Sequence, residues 1–350
     1  MKLNKTTLAT AVAATLALGM SGQAAADVYA GSSLNLNNLS VVFLNSSFAA
    51  AAGVTINSFN FSTINTAVLN GAGVVGSATC GGTPISNTCS AAPVLDGPVA
   101  NKTDGLLRTN NQVSGDGTLN WFTIAPGNNW SNSDSVIYTS EITSLNANVS
   151  HTDQIAESKI TTAASASASS EILSTTGLTF NFSIAGPAVN FSLSFMADPD
   201  MRAQILNDLG STYSAQATTA VSLSLTKDGA FGTGLNWAPD GAFVLNTAGN
   251  CFAGGGVTCI EQADTQNLNL SIGTSTNNTT SDSSYDPNVA GLTNYGIFAS
   301  GLTAGNWTLT LKGQTSTNLT RTAAVPEPGM LALLGIGMAG LGFMTRRRKS

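Results

Sequence analysis

The stretch Leu-Thr-Phe-Asn-Phe-Ser-Ile-Ala-Gly-Pro-Ala-Val-Asn-Phe-Ser-Leu-Ser-Phe, residues 178–195, decides the fold class of this chain. Apolar residues alternate with short polar residues on both sides of a Gly-Pro turn. Because successive side chains of a β-strand point to opposite faces, each half predicts a strand with one apolar and one polar face. Such strands are typical of antiparallel sheets that bury one face and expose the other to water.

The same alternation recurs along the chain, and Gly-rich turns such as 227–229 and 238–241 separate the apolar runs. The further strand candidates are Leu39–Leu44, Leu119–Ile124, Val221–Leu225, Leu268–Ile272 and Trp307–Leu311. Two sheets of this kind must bury their apolar faces against each other. The sequence therefore predicts an all-β ectodomain over residues 27–322, an antiparallel, jelly-roll-like β-sandwich. One large sandwich is favoured over two smaller domains.

Two segments leave the secondary structure open. Residues 161–170, Thr-Thr-Ala-Ala-Ser-Ala-Ser-Ala-Ser-Ser, are of low complexity and are compatible with a short helix, a connector or a polar edge strand. Asp198-Pro199-Asp200 is compatible with the start of a helix that ends near Gly210. A bent strand that continues through residues 201–205 is the preferred interpretation, because the neighbouring segment also favours a strand.

The last part of the sequence combines three elements in a fixed order. The first is a Pro-flanked acid within Val325, Pro326, Glu327 and Pro328, and the second is an apolar run over residues 329–345. The third is a cationic tail that consists of Arg346, Arg347, Arg348 and Lys349. The prolines restrict the backbone, so Glu327 is expected in an extended, accessible peptide. The apolar run predicts a transmembrane helix, with arginines that extend their side chains to the interface. The cations predict that the far end stays in the cytoplasm.

This order of elements resembles the PEP-CTERM sorting signal, here over residues 323–350. Proteins with this signal are exported by Gram-negative, often biofilm-forming bacteria. The resemblance implies a partner, exosortase, which is a membrane cysteine transpeptidase that cleaves near the tripeptide. It also implies an intermediate anchored transiently in the inner membrane, followed by transfer to the cell surface or extracellular matrix. Glu327 and its two prolines would be the recognition site, and the cationic tail would be the retention signal.

The beginning of the sequence predicts export independently. A positive region with Lys2 and Lys5 is followed by a short apolar region over residues 8–20. The small residues Ala24 and Ala26 then provide a cleavage site before Asp27. This order is typical of a secretory signal peptide. Residues 1–26 are therefore predicted to pass through the general secretion machinery and to be removed by signal peptidase.

The predicted ectodomain is strongly acidic. The whole chain has a formal net charge of −6, from 13 basic and 19 acidic residues. Six of the basic residues lie in the signal peptide or the cationic tail, which leaves seven against the 19 acids from Asp27 to Glu327 and a net charge of −12 over that stretch. No cluster of Lys or Arg remains, which argues against binding to nucleic acid or anionic lipid through a cationic patch. Ser, Thr, Asn and Gly provide the polarity, as expected of an extracellular shell or matrix protein.

The four cysteines form two close pairs, Cys80 with Cys89 and Cys251 with Cys259. An exported chain meets an oxidising compartment, where disulfides form. Local pairing is the simplest of the three connectivities, because a stretch that looks like a loop separates the members of each pair. A zinc site is disfavoured, since the sequence has neither a CxxC spacing nor a supporting histidine.

Residues that suggest catalysis are few. His151 is the only histidine, and a serine triad would need it together with Asp153, although no GxSxG motif is present. The sequence also lacks a P-loop and a GxGxxG motif after a strand. We therefore expect no enzymatic activity.

Two acidic pairs are weak calcium candidates: Asp198 with Asp200, and Asp282 with Asp286. Carboxylates in a flexible loop can bind Ca²⁺ together with backbone carbonyls. No EF-hand or RTX pattern is present, so turn formation is the simpler interpretation, and no cofactor is expected.

Two functions follow as hypotheses. The first is a non-enzymatic surface or extracellular-matrix protein, associated with exopolysaccharide or biofilm and delivered through exosortase. The alternative is a secreted carbohydrate-binding or carbohydrate-active protein, in which carboxylates and exposed tryptophans form a groove. The tryptophans concerned are Trp121, Trp130, Trp237 and Trp307. Of these, Trp307 lies on an alternating strand and is expected in the core.

Overall fold

The computed structural model describes most of the chain between Asp27 and Ala323. The described residues are 27–83, 86–87, 94–95, 99–100, 129–138, 151–161, 165–173, 177–206, 212–242, 248–283, 291–323, 335 and 337–338. Their strands are β1 Asp27–Leu44, β2 Val54–Leu69, β3 Ala72–Thr83, β4 Ser86–Asn87, β5 Val94–Leu95, β6 Val99–Ala100, β7 Trp130–Tyr138, β8 His151–Ile160, β9 Ala166–Ile172, β10 Gly177–Ile184, β11 Val189–Leu206, β12 Thr212–Lys227, β13 Gly234–Trp237, β14 Cys251–Gly254, β15 Thr258–Asp264, β16 Leu270–Thr274, β17 Thr279–Ser283, β18 Thr293–Leu302 and β19 Gly305–Thr322.

These strands build two antiparallel sheets, which confirms the predicted all-β class. In the described residues one sheet has nine strands in the order β15-β18-β11-β1-β8-β7-β5, with β17 on β11 and β6 on β7. The other has ten strands in the order β14-β13-β12-β19-β10-β2-β3-β4, with β16 on β12 and β9 beside both β19 and β2. Strands that are distant in the sequence lie side by side in both sheets, because β1 pairs with β11 and β2 pairs with β10.

Most predicted strands are present within longer ones. The opening stretch forms β10 and the first part of β11, and the strands predicted at 39–44, 221–225 and 307–311 lie in β1, β12 and β19. The strand predicted at Leu268 begins two residues later, at Leu270. The candidate at 119–124 lies outside the described residues.

Large apolar side chains fill the space between the two sheets at one end. Phe180 and Phe182 of β10 are completely buried. The ring centroid of Phe182 lies 4.6 Å from that of Phe43 on the facing sheet, and Phe43 lies 5.7 Å from Phe191. The apolar face predicted from the alternation is therefore the face that packs against the other sheet, and each large side chain buried there contributes about 1.5–3 kcal/mol.

Towards the other end, small and hydroxyl-bearing side chains replace the aromatic ones. The Oγ1 atom of Thr317 lies 2.7 Å from Ser170 Oγ and 2.8 Å from Ser158 Oγ of the facing sheet. Ser133 Oγ donates a hydrogen bond to the backbone carbonyl of Thr66 in the facing sheet at 3.0 Å. Because a serine hydroxyl reaches only one bond beyond Cβ, the sheets must approach more closely here than the usual ~10 Å.

The low-complexity segment forms a strand in the interior of a sheet. β9 is hydrogen-bonded to β19 on one side and to β2 on the other, in line with β10, which pairs with the same two strands. Its alternate residues, including Ala168 and Ser170, are buried between the sheets. The strand interpretation is therefore correct and the edge position is wrong, because small side chains are what the narrow gap between the sheets admits.

The preferred bent strand around Pro199 is confirmed. β11 runs without interruption over Val189–Leu206 and pairs with β1 along its length. On its other side the pairing with β18 ends at Ala197, and the pairing with β17 begins at Met201. Pro199, which has no backbone N–H, lies in the gap between these two neighbours, where a strand interior tolerates proline.

The first and last long strands begin and end at the same end of the molecule. Val28 and Leu319 belong to one buried cluster, and Asp27 forms an ion pair with Lys159 at 2.9 Å. From Thr322 the 18 residues of β19 run the length of the ten-stranded sheet, roughly 55 Å at the usual rise per residue. The turn after β12 lies at the far end, because Lys227 pairs with Trp307.

The predicted targeting segments lie almost entirely outside the described residues. Of the predicted transmembrane segment, only Gly335, Gly337 and Met338 are described, and their backbone is helical. Within the described part of the chain, no helix has the length and apolar character needed to cross a membrane.

Candidate functional site

The predicted processing sites flank the described fold at one end. The recognition site Val325–Pro328, the tail Arg346–Lys349 and the small residues Ala24 and Ala26 lie outside the described residues. Asp27 follows the predicted signal cleavage, and Ala323 precedes the Pro-Glu-Pro segment. Since β1 starts and β19 stops at the same end of the sheets, Asp27 and Ala323, the described residues nearest in sequence to the two predicted cuts, lie at one end of the fold.

Three of the four tryptophans proposed for sugar stacking are buried. Trp130, Trp237 and Trp307 expose 5%, 1% and 0% of their surface. The core position expected for Trp307 is confirmed, and a stacking role for Trp130 or Trp237 is wrong, because a sugar cannot reach either indole. Trp121 lies outside the described residues.

The aspartates of the second calcium candidate do not form a described site. Asp282 lies on β17 opposite Arg202 of β11, and its Oδ1 atom is 3.2 Å from Arg202 Nε. This partly exposed ion pair contributes no more than about 1 kcal/mol, but it gives the carboxylate a cation from the protein itself. Asp286 lies outside the described residues.

The aspartates of the first calcium candidate are buried around Pro199. The backbone N–H of Gly291 donates to Asp198 Oδ2 at 2.7 Å, and Ser33 Oγ donates to Asp200 Oδ2 at 3.4 Å. Across the described ranges, no group of three or more His, Cys, Asp or Glu side chains has an arrangement that could hold a metal ion. The bond to Gly291 connects β11 to the segment before β18, and the bond to Ser33 connects β11 to β1.

The predicted disulfide between Cys251 and Cys259 is present, with the two Cα atoms 5.9 Å apart. Cys251 starts β14 in the ten-stranded sheet, whereas Cys259 lies on β15 in the nine-stranded sheet. The bond therefore ties the two sheets together, and does not merely close a loop. Cys89 and the side chain of Cys80 lie outside the described residues.

Two buried carboxylates of β15 lie between the sheets near this disulfide. Glu261 Oε1 accepts hydrogen bonds from Trp237 Nε1 at 2.8 Å and from the backbone N–H of Asn250 at 3.0 Å. Asp264 Oδ2 accepts the backbone N–H of Asp240 at 2.8 Å. A bulge after Glu261 shifts the register of β15 against β18, so both carboxylates point inwards.

This carboxylate pair holds the fold together and is closed to substrate, since Glu261 and Asp264 expose 1% and 2% of their surface. Burial is the main cause that raises the pKa of Asp264 to about 6, and the nearby charge of Glu261 adds to it. Burial also raises the pKa of Tyr295 to about 12. His151 and Asp153, which a serine triad would need, lie two positions apart on β8, and their side chains are outside the described structure.

An Asp264→Asn variant is expected to change the pH dependence of stability. The folded-state pKa of about 6 lies above the ordinary aspartate pKa of 3.8, so the folded state binds this proton more tightly than the unfolded state. The wild type should therefore lose up to about 3 kcal/mol as pH rises from about 4 to about 6.5, and the variant should not. Urea unfolding of both proteins at pH 4.5 and 7.5 measures this difference; parallel pH profiles would contradict it.

Sequence reasoning missed a cleft that two exposed phenylalanines line. It has a volume of about 750 Å³ and lies between the turn after β12 and the edge strand β14. Phe231 in the turn is fully exposed, and Phe252 on β14 exposes 71% of its surface. Neither residue belongs to an alternating apolar pattern; the available signal is an aromatic residue inside the Gly-rich segment 229–234.

Comparison with known proteins identifies one segment of the chain. The family model described as the PEP-CTERM protein-sorting motif matches residues 324–349. No curated protein and no solved structure matches the chain.

Proposed function

We propose that this chain, which carries a PEP-CTERM protein-sorting motif, is a non-enzymatic surface or extracellular-matrix protein that exosortase cleaves at that motif. The motif implies an exported protein that is sorted at the membrane towards the cell surface. The observation that carries the proposal is the order of a Pro-flanked Glu327, an apolar run and four cations within the matched segment.

The proposed route has two cuts. Signal peptidase removes residues 1–26 during export, and residues 329–345 hold the intermediate in the inner membrane with the basic tail in the cytoplasm. Exosortase then cuts near Glu327 and releases the ectodomain to the surface or matrix. The position of Asp27 and Thr322 at one end of the sheets supports this route, because the remainder of the ectodomain then extends away from the membrane.

The proposed ectodomain is a β-sandwich with a structural role. Support comes from the two antiparallel sheets and from core clusters that contain residues of both. Support for a role without catalysis comes from the buried carboxylates of the described residues, which are held in hydrogen bonds inside the fold. The hydrogen bonds of Asp198 and Asp200 and the ion pair of Asp282 support a structural role for these carboxylates, and no cofactor is proposed.

The C-terminus of the exported protein tests this proposal. Intact-mass spectrometry on protein from cells with and without their exosortase should give two different chains. The first should end near Pro326–Pro328, and the second should keep the helix and the basic tail. An identical, intact tail in both cell types would mean an ordinary membrane anchor, and a cut in both would assign the cleavage to another enzyme.

A further inference from the structure

The cleft at Phe231 and Phe252 is unusual in the apolar surface that it exposes. The large apolar side chains exposed in the described residues are Phe48, Val75, Phe231, Phe252 and Met338. Two of the five line this one cleft. Neighbouring exposed aromatic side chains mark a binding surface more often than isolated ones do.

The turn that carries Phe231 is held by its own backbone. Lys227 and Thr233 are joined across the turn by a hydrogen bond of 3.0 Å from the Lys227 N–H to the Thr233 carbonyl. Gly229 and Gly232 adopt φ values of +73° and +75°, which glycine accepts without strain. The phenyl ring is therefore presented outwards by an ordered turn, which reduces the entropy lost when a ligand binds.

The polar groups of the cleft are uncharged except for one. The lining contains the side chains of Thr226, Thr233 and Asn236 and one cation, Lys227. The Nζ atom of Lys227 donates to Thr303 Oγ1 at 2.8 Å, outside the lining. Hydroxyl and amide groups beside aromatic rings suit a ligand that alternates apolar C–H faces with hydroxyl groups.

The cleft continues into a row of uncharged polar residues across the ten-stranded sheet. Phe252 lies opposite Asn236, Asn236 opposite Ser224, and Ser224 opposite Thr310. These four positions span three strand spacings, about 14 Å. A row of this length accommodates several units of a polymer and exceeds what a single small molecule needs.

Charge and position distinguish the polymer from other partners. The net charge of −12 derived above repels polyanions at long range, so an uncharged chain is favoured over an acidic one. The cleft lies at the end of β12 and β13 that is roughly 55 Å from Thr322. A lipid surface at the sorting motif is therefore at the opposite end of the molecule.

We propose that the cleft formed by Phe231, Phe252 and Asn236 binds a neutral polysaccharide. The two phenyl rings contact the C–H faces of sugar units, while Asn236 and the adjoining hydroxyl row bind their hydroxyl groups. The inference rests on the proposed export to the surface or matrix, where the membrane-distal end meets extracellular polymer. The ligand would then bind at the end of the sheets opposite Thr322, the end that precedes the sorting motif in the sequence.

Affinity electrophoresis of the full-length protein in detergent tests this inference. Native gels would contain hydroxyethylcellulose, dextran or alginate as probes. One or both neutral polymers should retard the wild type, and the Phe231→Ala/Phe252→Ala variant should bind at least about tenfold more weakly. Phe48→Ala is the matched control, because Phe48 is similarly exposed but lies outside the cleft; it should bind like the wild type.

Four results would overturn the inference. The first is that neither neutral polymer retards the wild type. The second is that the double variant is retarded as strongly as the wild type. Binding to alginate alone, lost in Lys227→Gln, would assign an acidic polymer. A dimer in size-exclusion chromatography that the double variant dissociates would assign the cleft to a second copy of the chain. All these measurements use purified protein. A negative result would therefore reject polysaccharide binding without affecting the exosortase-dependent mass difference, which tests the proposed function separately.

Discussion

A Glu327→Ala variant is expected to keep its C-terminal helix, whereas the wild-type chain loses it. Glu327 is the only ionisable side chain between Arg321 and Arg346, so it is the one charge that a processing enzyme can recognise in the segment that precedes the apolar run. The flanking prolines are the same in both proteins, so the restriction that they impose on the backbone is unchanged by the substitution. We expect the cleaved fraction to fall at least about tenfold, as a lost charge-assisted contact of about 1.5–3 kcal/mol implies.

Intact-mass spectrometry of the two purified proteins measures this fraction directly. A Glu171→Ala variant is the control, because Glu171 is a carboxylate on β9 that accepts a hydrogen bond from Gln314 within the ectodomain. It should be cleaved like the wild type. Equal cleavage of the wild type and Glu327→Ala would remove Glu327 from the recognition site, even if exosortase proved to be the enzyme.

A Phe182→Ala variant is expected to lose about 3–5 kcal/mol of unfolding free energy. Phe182 is completely buried, and its ring lies 4.6 Å from Phe43 of the facing sheet and 5.7 Å from Phe180. Truncation removes contacts to both sheets at once and leaves a cavity that the regular strands cannot close by moving singly. Urea unfolding monitored by tryptophan fluorescence measures the loss, because Trp237 and Trp307 are buried in the same core.

The matched control is Phe231→Ala, which removes the same side chain from a fully exposed position. Its effect on stability should stay within about 0.5 kcal/mol, as for most surface substitutions. Similar losses in both variants would mean that Phe231 packs against the fold, and the cleft would then lack its exposed ring. The pair of variants thus checks the core and the binding surface together.

The strand pattern could be predicted where side chains differ strongly in polarity. In β10 and the first part of β11, up to Phe195, every second residue is large and apolar, so the buried face is evident from the sequence. In β9 three of the four buried residues are Ala or Ser, whose hydrophobicity hardly differs from that of their exposed neighbours; the fourth is Ile172. The position of β9 depends on the narrow gap between the sheets, which is a tertiary property.

The buried positions of Trp237 and Asp264 could not be predicted, because they depend on contacts between residues that are distant in the sequence. Trp237 lies in the apolar core, and the N–H of its indole is satisfied there by Glu261 of the other sheet, 24 positions later in the sequence. Asp264 faces inwards because of a one-residue bulge, and a register shift of one residue exchanges the two faces of a strand. Neither feature has a local sequence signature, whereas the sorting motif is a contiguous segment and could be identified from its residues alone.

The last strand of the sequence lies in the middle of its sheet, and this fixes the order of events during export. β19 pairs with β12 on one side and with β9 and β10 on the other. The ten-stranded sheet therefore cannot close until Thr322 has crossed the membrane. By then the Pro-Glu-Pro segment, which begins four residues later, has reached the same side. Under the proposed route, completion of the ten-stranded sheet and exposure of the predicted cleavage site would therefore coincide.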